Sequence, residues 1–140
     1  MIYIMRGLPG SGKTTWWRNN APNAIVCSAD DYHIVDGVYK YDPKKAGEAH
    51  NMCLLKYINS LMCDNDIVVD NTNTSLVELA PYVRIAEASS MEYTIVYIDC
   101  SLKEAIRRGT HNVPSNTILT MQRNLLTEIV PSYWNQIYRG

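Results

Sequence analysis

The chain has 140 residues, 46% of them hydrophobic and 19% charged. That is the composition of one compact domain spanning 1–140, and it excludes disordered and fibrous architectures. Thirteen basic against fourteen acidic side chains leave a net charge of −1, so any contact with a polyanion or a membrane needs a local patch, and a polybasic binder is excluded.

At this length roughly two-thirds of the extended chain's surface can be buried, so a core forms without disulfide staples. No run of about 18 apolar residues could span a bilayer. The apolar start Met1–Met5 lacks the basic flank and the length of a signal peptide, so an intracellular, cytoplasmic protein with no membrane contact is expected. Cys27, Cys53, Cys63 and Cys100 stand far apart, as do His33, His50 and His111. Neither a zinc site nor a redox dithiol is encoded locally, and the cysteines read as buried, reduced thiols.

Ile2 to Arg6 is a β-branched and aromatic run that stops at Gly7; a glycine-rich loop follows, and Lys13 to Asn20 reads as a helix. Ala24 to Ser28 is a second buried strand, delivering Asp30 and Asp31 at its C-terminal end. Asp36 to Asp42 carries a turn signal and alternates, which predicts a small hairpin or ordered loop. Pro43 is expected to open a helix running to about Cys63, with Ala46, Ala49, Cys53, Tyr57 and Leu61 as its core-facing stripe and His50 at the edge. Ile67 to Val69 is a third buried strand, ending in Asp70-Asn71-Thr72-Asn73. A helix is expected from about Ser75 to Ser89, with Pro81 tolerable in its first turns or at a kink. Tyr93 to Ile98 is a fourth strand and Leu102 to Arg108 a short helix. Gly109 to Pro114 reads as a loop, and Ser115, as cap, starts a last helix to about Leu126. Trp134, Tyr133 and Tyr138 make an aromatic C-terminal segment that is expected to pack against the sheet, with base stacking as the alternative. Strands alternating with helices at this spacing give an α/β fold, a mostly parallel sheet covered on both faces.

Gly7-Leu-Pro-Gly-Ser-Gly12-Lys13-Thr14 matches G-x-x-x-x-G-K-[ST] without a mismatch, between a predicted strand and a predicted helix as the motif requires. Glycines let successive backbone N–H groups converge on phosphate oxygens, and the helix N-terminus adds partial positive charge. Lys13 reaches the β- and γ-phosphates and the Thr14 hydroxyl can ligate Mg²⁺. ATP with Mg²⁺ is the expected ligand, cradled by Gly7, Pro9, Gly10, Ser11, Gly12, Lys13, Thr14 and Thr15.

The loop says only that a triphosphate binds; the chemistry must come from the other strand ends. Asp30 and Asp31 could supply a base for an acceptor hydroxyl, or be solvated acids capping a turn. Asp70 stands where an acid would hold Mg²⁺, or it caps the next helix. Arg107 and Arg108, before Gly109, could close onto the phosphates as a lid, or be the cationic end of an exposed helix.

Together, Arg6 to Thr15, Ser28-Ala-Asp-Asp-Tyr32, Tyr41-Asp-Pro with Glu48-Ala-His50, Val69-Asp-Asn-Thr-Asn73, and Arg107-Arg108 followed by Val113-Pro114 resemble the polynucleotide-kinase-like P-loop kinases. The likeness extends to the NEDD4-binding-protein-2-type kinase modules and the 5′-kinase domain of phage polynucleotide kinase. It runs collinearly over about residues 2–125, and the Asp-Asp-Tyr and Asp-Asn-Thr-Asn pair is more specific than the phosphate loop. The resemblance implies a single-domain P-loop kinase fold with a central first strand and a short lid. Under it Asp30 is the general base, Lys13 the loop lysine, Thr14 the magnesium hydroxyl, and Arg107 or Arg108 the lid arginine. Where the phage kinase has an arginine that holds the acceptor phosphate, this chain has His33, either a weaker, pH-dependent acceptor contact or a plain loop residue. Asp31, Asn71 and Asn73 are further candidates for the acceptor pocket, and the two asparagines could equally fix the turn.

The leading expectation is phosphoryl transfer from Mg-ATP to a nucleic-acid hydroxyl, DNA or RNA, most simply a 5′-OH end, with Lys40, Lys44 and Lys45 near the strand. The alternatives are a hydroxylated base such as hydroxymethyluracil in modified phage DNA, a sugar or nucleoside, and an ATP-binding module that hydrolyses slowly or only switches.

Overall fold

The computed structural model describes residues 1–109 and 112–140; Thr110 and His111 of the expected loop lie outside the described residues. In chain order the elements are β1 (Ile2–Arg6), α1 (Lys13–Asn20), β2 (Ile25–Cys27), a 3₁₀ turn (Ala29–His33), β3 (Ile34–Val35), β4 (Val38–Tyr39) and a second 3₁₀ turn (Pro43–Lys45). Then follow α2 (Ala46–Ser60), β5 (Ile67–Val69), α3 (Leu76–Ala88), β6 (Tyr93–Ile98), α4 (Leu102–Arg108), α5 (Ser115–Thr127) and β7 (Gln136–Arg139).

Ile67, Val68 and Val69 are all fully buried, which requires cover on both faces of the strand they form. The main sheet supplies the setting: its order is β2-β5-β1-β6-β7, every neighbouring pair parallel. Side chains alternate across it with the strand period of two. Ile2, Ile4, Ile67, Val69 and Ile95 face α2 and α3, where Cys53, Tyr57, Leu79 and Val83 meet them. Met5, Val68, Val96 and Ile98 face the other way, against Ala21 and the half-buried Trp16 and Trp17 of α1. Inside the first layer the Tyr57 hydroxyl donates to the Tyr82 carbonyl at 2.8 Å, so its burial strands no polar atom. From the central β1 the chain runs to one side for β2 and β5, then crosses to the other for β6 and β7. The strand order thus reverses beside β1, and a crevice opens at the C-terminal strand ends, where open parallel sheets bind ligands.

Several local expectations are corrected. Pro43 opens a separate 3₁₀ turn, because Asp42 Oδ1 accepts from the Lys44 N–H, and α2 begins only at Ala46. Ser115 is the first helical residue and caps nothing; Pro114 holds the cap position. Only Cys27 and Cys53 are buried, whereas Cys63 is exposed and Cys100 intermediate; all four are free. Pro81 stands six residues into α3 without ending it; the carbonyl it leaves without a helical donor belongs to Val77, a largely exposed residue. The C-terminal segment does pack against the sheet: Trp134 joins the α2/α3 side, and Gln136–Arg139 extends the sheet as β7, with Tyr138 stacked on Tyr97 at 4.8 Å. The expected hairpin is the two-stranded antiparallel pair β3–β4.

Candidate active site

The phosphate loop joins β1 to α1. A Cβ at Gly7 would lie 2.6 Å from the Ile98 carbonyl oxygen and 2.9 Å from Ser11 Oγ, so no other residue fits there without displacing backbone. Gly12, the residue before α1, has φ 106° and turns the chain into the helix from a conformation that favours glycine. The loop's underside is held by Leu8, which packs with Ala105 of α4 and Ile118 of α5. Gly7 and Ser11 lie beneath, while Pro9, Gly10, Gly12, Lys13, Thr14 and Thr15 line a cleft of about 1110 Å³.

Lys13 is 9% exposed and its ammonium donates to the carbonyls of Gly7 at 3.1 Å and Leu8 at 2.8 Å. Burial pushes it down to about 8, against the opposing pull of Asp70, Asp30 and Cys100. It is therefore a charge held under strain of desolvation, which an anion in the cleft relieves. The two arginines ending α4 differ. Arg107 is exposed and donates from Nε at 2.9 Å and Nη2 at 2.6 Å to Glu104, which it holds down to about 2. Arg108 shares Glu104 through Nε at 3.0 Å but sends Nη1 across to the Gly10 carbonyl, and it alone of the pair lines the cleft.

Asp70 follows β5. Its Oδ2 accepts from the Thr14 hydroxyl at 2.9 Å and from the Trp17 indole at 2.8 Å. No cluster of three or more His, Cys, Asp or Glu side chains able to hold a metal occurs among the described residues. A hydroxyl beside one carboxylate is instead a hard-oxygen set of the kind that shares Mg²⁺ with a nucleotide's phosphates, so the residues fit that ion.

At the end of β2, the Ser28 hydroxyl accepts from the Asp30 N–H at 3.3 Å and starts the 3₁₀ turn. Asn71 Oδ1 accepts from the Ala29 N–H at 2.9 Å and Asn71 Nδ2 donates to Cys53 Sγ, so this buried side chain ties the β2 end to the β5 end. Asp30 lines the cleft and accepts from the Tyr39 hydroxyl at 3.3 Å. Burial, then the Asp30 charge and hydrogen bond, push Tyr39 up to about 12, which keeps it a donor. His33, 4% exposed, lines the same wall with Tyr41, their ring centroids 4.9 Å apart; Tyr41 is exposed. His50, at the edge of the α2 stripe, also reaches the cleft.

Two sequence candidates are not brought in. Asp31 is exposed on the outside of the 3₁₀ turn and does not line the cleft. Asn73 is buried with φ 46° and donates to the Met5 carbonyl at 2.9 Å, so it fixes the turn after β5 and does not face an acceptor. Residues that sequence reading left without a role include Tyr39, Trp17 and Arg6. The Arg6 guanidinium, buried at the end of β1, donates to the carbonyls of Asn73 and Thr74, both at 3.0 Å, and of Glu128 at 3.3 Å. An arginine ending an otherwise apolar strand was the available signal for it.

A family model described as an AAA domain matches residues 2–125. Human NEDD4-binding protein 2 is 31% identical over 134 residues, covering 86% of this chain and 7% of that protein. Among solved structures, a chain of the Pnkp1/Rnl/Hen1 RNA repair complex superposes with a TM-score of 0.73 at 22% identity, over 89% of this chain and 43% of that one. A sugar kinase from Janibacter sp. HTCC2649 superposes with a TM-score of 0.67 at 12% identity, over 98% and 83%. These two likenesses speak to the fold, and the chain spans only a small part of the human relative. With the phosphate loop, the sheet order and the family match in agreement, the chain belongs to the AAA-domain family whose model matches residues 2–125, and it has the fold of the P-loop kinases.

Proposed function

We propose that this chain transfers the γ-phosphoryl group of Mg-ATP to a hydroxyl of a nucleic acid, most simply a 5′-OH end. The observation that carries the reading is that Lys13, Thr14 and Asp30, from two different strand ends, open onto one cleft large enough for a nucleotide and an acceptor together. In the reaction the acceptor oxygen bonds to the γ-phosphorus as the bond to the β–γ bridging oxygen breaks, and ADP departs with that electron pair. The Asp30 carboxylate takes the hydroxyl proton, and its exposure lets it pass the proton to solvent. The Tyr39 hydroxyl holds that carboxylate in place. Lys13 neutralises charge between the β- and γ-phosphates, and Arg108, after leaving the Gly10 carbonyl, meets the transferring phosphoryl. Thr14 and Asp70 would hold Mg²⁺, which when bound neutralises the β- and γ-oxygens.

The acceptor wall favours a nucleobase-bearing substrate over a sugar. It is built from the rings of Tyr39 and the exposed Tyr41, backed by the buried His33, and bases stack on such exposed rings, with the exposed Lys40, Lys44 and Lys45 nearby in the chain for backbone phosphates. The test is incubation with γ-labelled ATP and a panel of 5′-OH DNA and RNA oligonucleotides, hydroxymethyluracil-containing duplexes, nucleosides and sugars. Label on the 5′ end supports the proposal. Label on a modified base or a sugar replaces the acceptor, and label found only as free phosphate replaces the kinase with a nucleotide-hydrolysing module.

A further inference from the structure

We infer that Trp17 is a positioning residue for the metal side of the site: its indole N–H, together with the Thr14 hydroxyl, holds the Asp70 carboxylate in the orientation that serves the magnesium of Mg-ATP. The inference rests on the phosphoryl-transfer reading above and adds to it a residue that the phosphate-loop motif does not include.

Thr14 and Trp17 are three residues apart on α1 and so project from one face, a turn apart. Both donate to the same oxygen, Asp70 Oδ2, at 2.9 and 2.8 Å. Two donors on one oxygen fix the carboxylate's torsion and leave Oδ1, which no donor reaches among the described residues, available to a metal-bound water or the metal. Because the Thr14 hydroxyl spends its hydrogen on Asp70, its lone pairs remain for the ion.

An indole suits this position for chemical reasons. It donates and cannot accept, so it never competes with the carboxylate for a cation. Its ring is anchored: Trp17 packs half-buried against the α1 side of the sheet, and the Arg18 guanidinium lies 5.7 Å over its face. It also settles a competition. The Lys13 ammonium donates to the Gly7 and Leu8 carbonyls and makes no ion pair with Asp70 among the described residues. A carboxylate released from the indole would be free to swing toward that ammonium, which would occupy both the metal's ligand and the phosphates' cation.

The test is Trp17→Phe, which keeps the ring and removes the N–H. Mg²⁺ affinity is measured by titration in the presence of a non-hydrolysable ATP analogue, and analogue affinity separately in EDTA. Loss of a hydrogen bond that orients a metal ligand weakens metal binding about 10- to 100-fold; the expected result is a drop of about 10-fold for Mg²⁺ with analogue affinity in EDTA unchanged. A merely structural role would move both. A second measurement needs no Trp17 variant: in ¹⁵N-labelled protein, with indole resonances assigned through Trp16→Phe and Trp134→Phe, the Trp17 N–H signal should shift when Mg²⁺ joins the analogue and hold still when the analogue binds in EDTA. Wild-type Mg²⁺ affinity in a folded Trp17→Phe, or a resonance indifferent to Mg²⁺, overturns the inference alone. A wild-type protein that shows no Mg²⁺-dependent nucleotide binding overturns the parent reading and this one with it.

Discussion

Replacing each of the two arginines that end α4 with alanine separates a cation that works at the phosphates from one that decorates the surface. Arg108→Ala removes a guanidinium that already reaches the Gly10 carbonyl at the rim of the phosphate loop. A charge of this kind acting on the transferring phosphoryl at about 4 Å is worth about 4 kcal/mol at an effective dielectric of 20. Part of that is made in the ground state as well, so the differential share amounts to about 10²- to 10³-fold in kcat, the scale seen when one preorganised donor is removed. Arg107→Ala removes a side chain that is 69% exposed and, among the described residues, bonded only to Glu104, and its effect on kcat should stay within about twofold, as for other exposed ion pairs. The assay is steady-state transfer from γ-labelled ATP, with kcat and the KM for ATP taken separately: Arg108→Ala should lower kcat far more than it raises KM. Equal losses from both variants, or a larger loss from Arg107→Ala, refute the geometric assignment. Wild-type kcat in both means that α4 is an exposed helix end and another group stabilises the transition state.

The remaining predictions concern the loop and its supports. Because burial holds Lys13 at about 8 in the free protein and a triphosphate restores its charge, ATP binding should take up a proton between about 8 and the ordinary lysine value of 10.5, and affinity should fall as the pH rises through that window; calorimetry in buffers of different ionisation heat reads the uptake, and its absence places Lys13 away from the phosphates. Gly7→Ala forces a Cβ to 2.6 Å from the Ile98 carbonyl, so it should cost about 1–3 kcal/mol in denaturant unfolding and weaken ATP binding; a stable variant with normal ATP affinity contradicts the stated fit. Arg6→Met leaves the carbonyls of Asn73, Thr74 and Glu128 without their donor and should destabilise the fold by about 2–4 kcal/mol, measured as a lowered unfolding midpoint; an unchanged midpoint means that water serves those carbonyls equally well.

The strands and the phosphate loop were legible because their signals are local. Ile67-Val68-Val69 is uninterrupted apolar sequence, and the loop motif sits between a strand and a helix that periodicity predicts unaided. β7 was not, since it lies at the sheet edge with only Ile137 half-buried and so shows neither alternation nor an apolar run. The choice between adjacent residues also escaped sequence. Asp30 and Asp31 share one 3₁₀ turn, and Arg107 and Arg108 one helix end; about 100° of helical rotation decides which of the two arginines meets the cleft. Asn73 reads equally as a pocket residue or a turn former until its left-handed backbone and its bond to the Met5 carbonyl decide for the turn. The contact between Trp17 and Asp70 joins residues 53 apart in the chain and exists only because β5 lies beside β1. His33 looks like a polar loop residue, yet the β3–β4 hairpin that follows folds Tyr39 and Tyr41 against it and buries it.

If Asp30 deprotonates an acceptor hydroxyl aligned with the γ-phosphate of ATP, single-turnover transfer of labelled phosphate to a 5′-OH oligonucleotide depends on its carboxylate. Asp30→Asn keeps the side chain's shape and its bond to Tyr39 while removing its basicity. Nearly wild-type Mg-ATP affinity is expected, with transfer slowed about 10²-fold or more, the scale of a positioned general base, whereas Asp31→Asn, outside the cleft, transfers at the normal rate. Normal transfer by Asp30→Asn rules out this role for Asp30: if Asp31→Asn is then inactive, the base is the second acid, and if both are active, the reaction proceeds without either carboxylate as base.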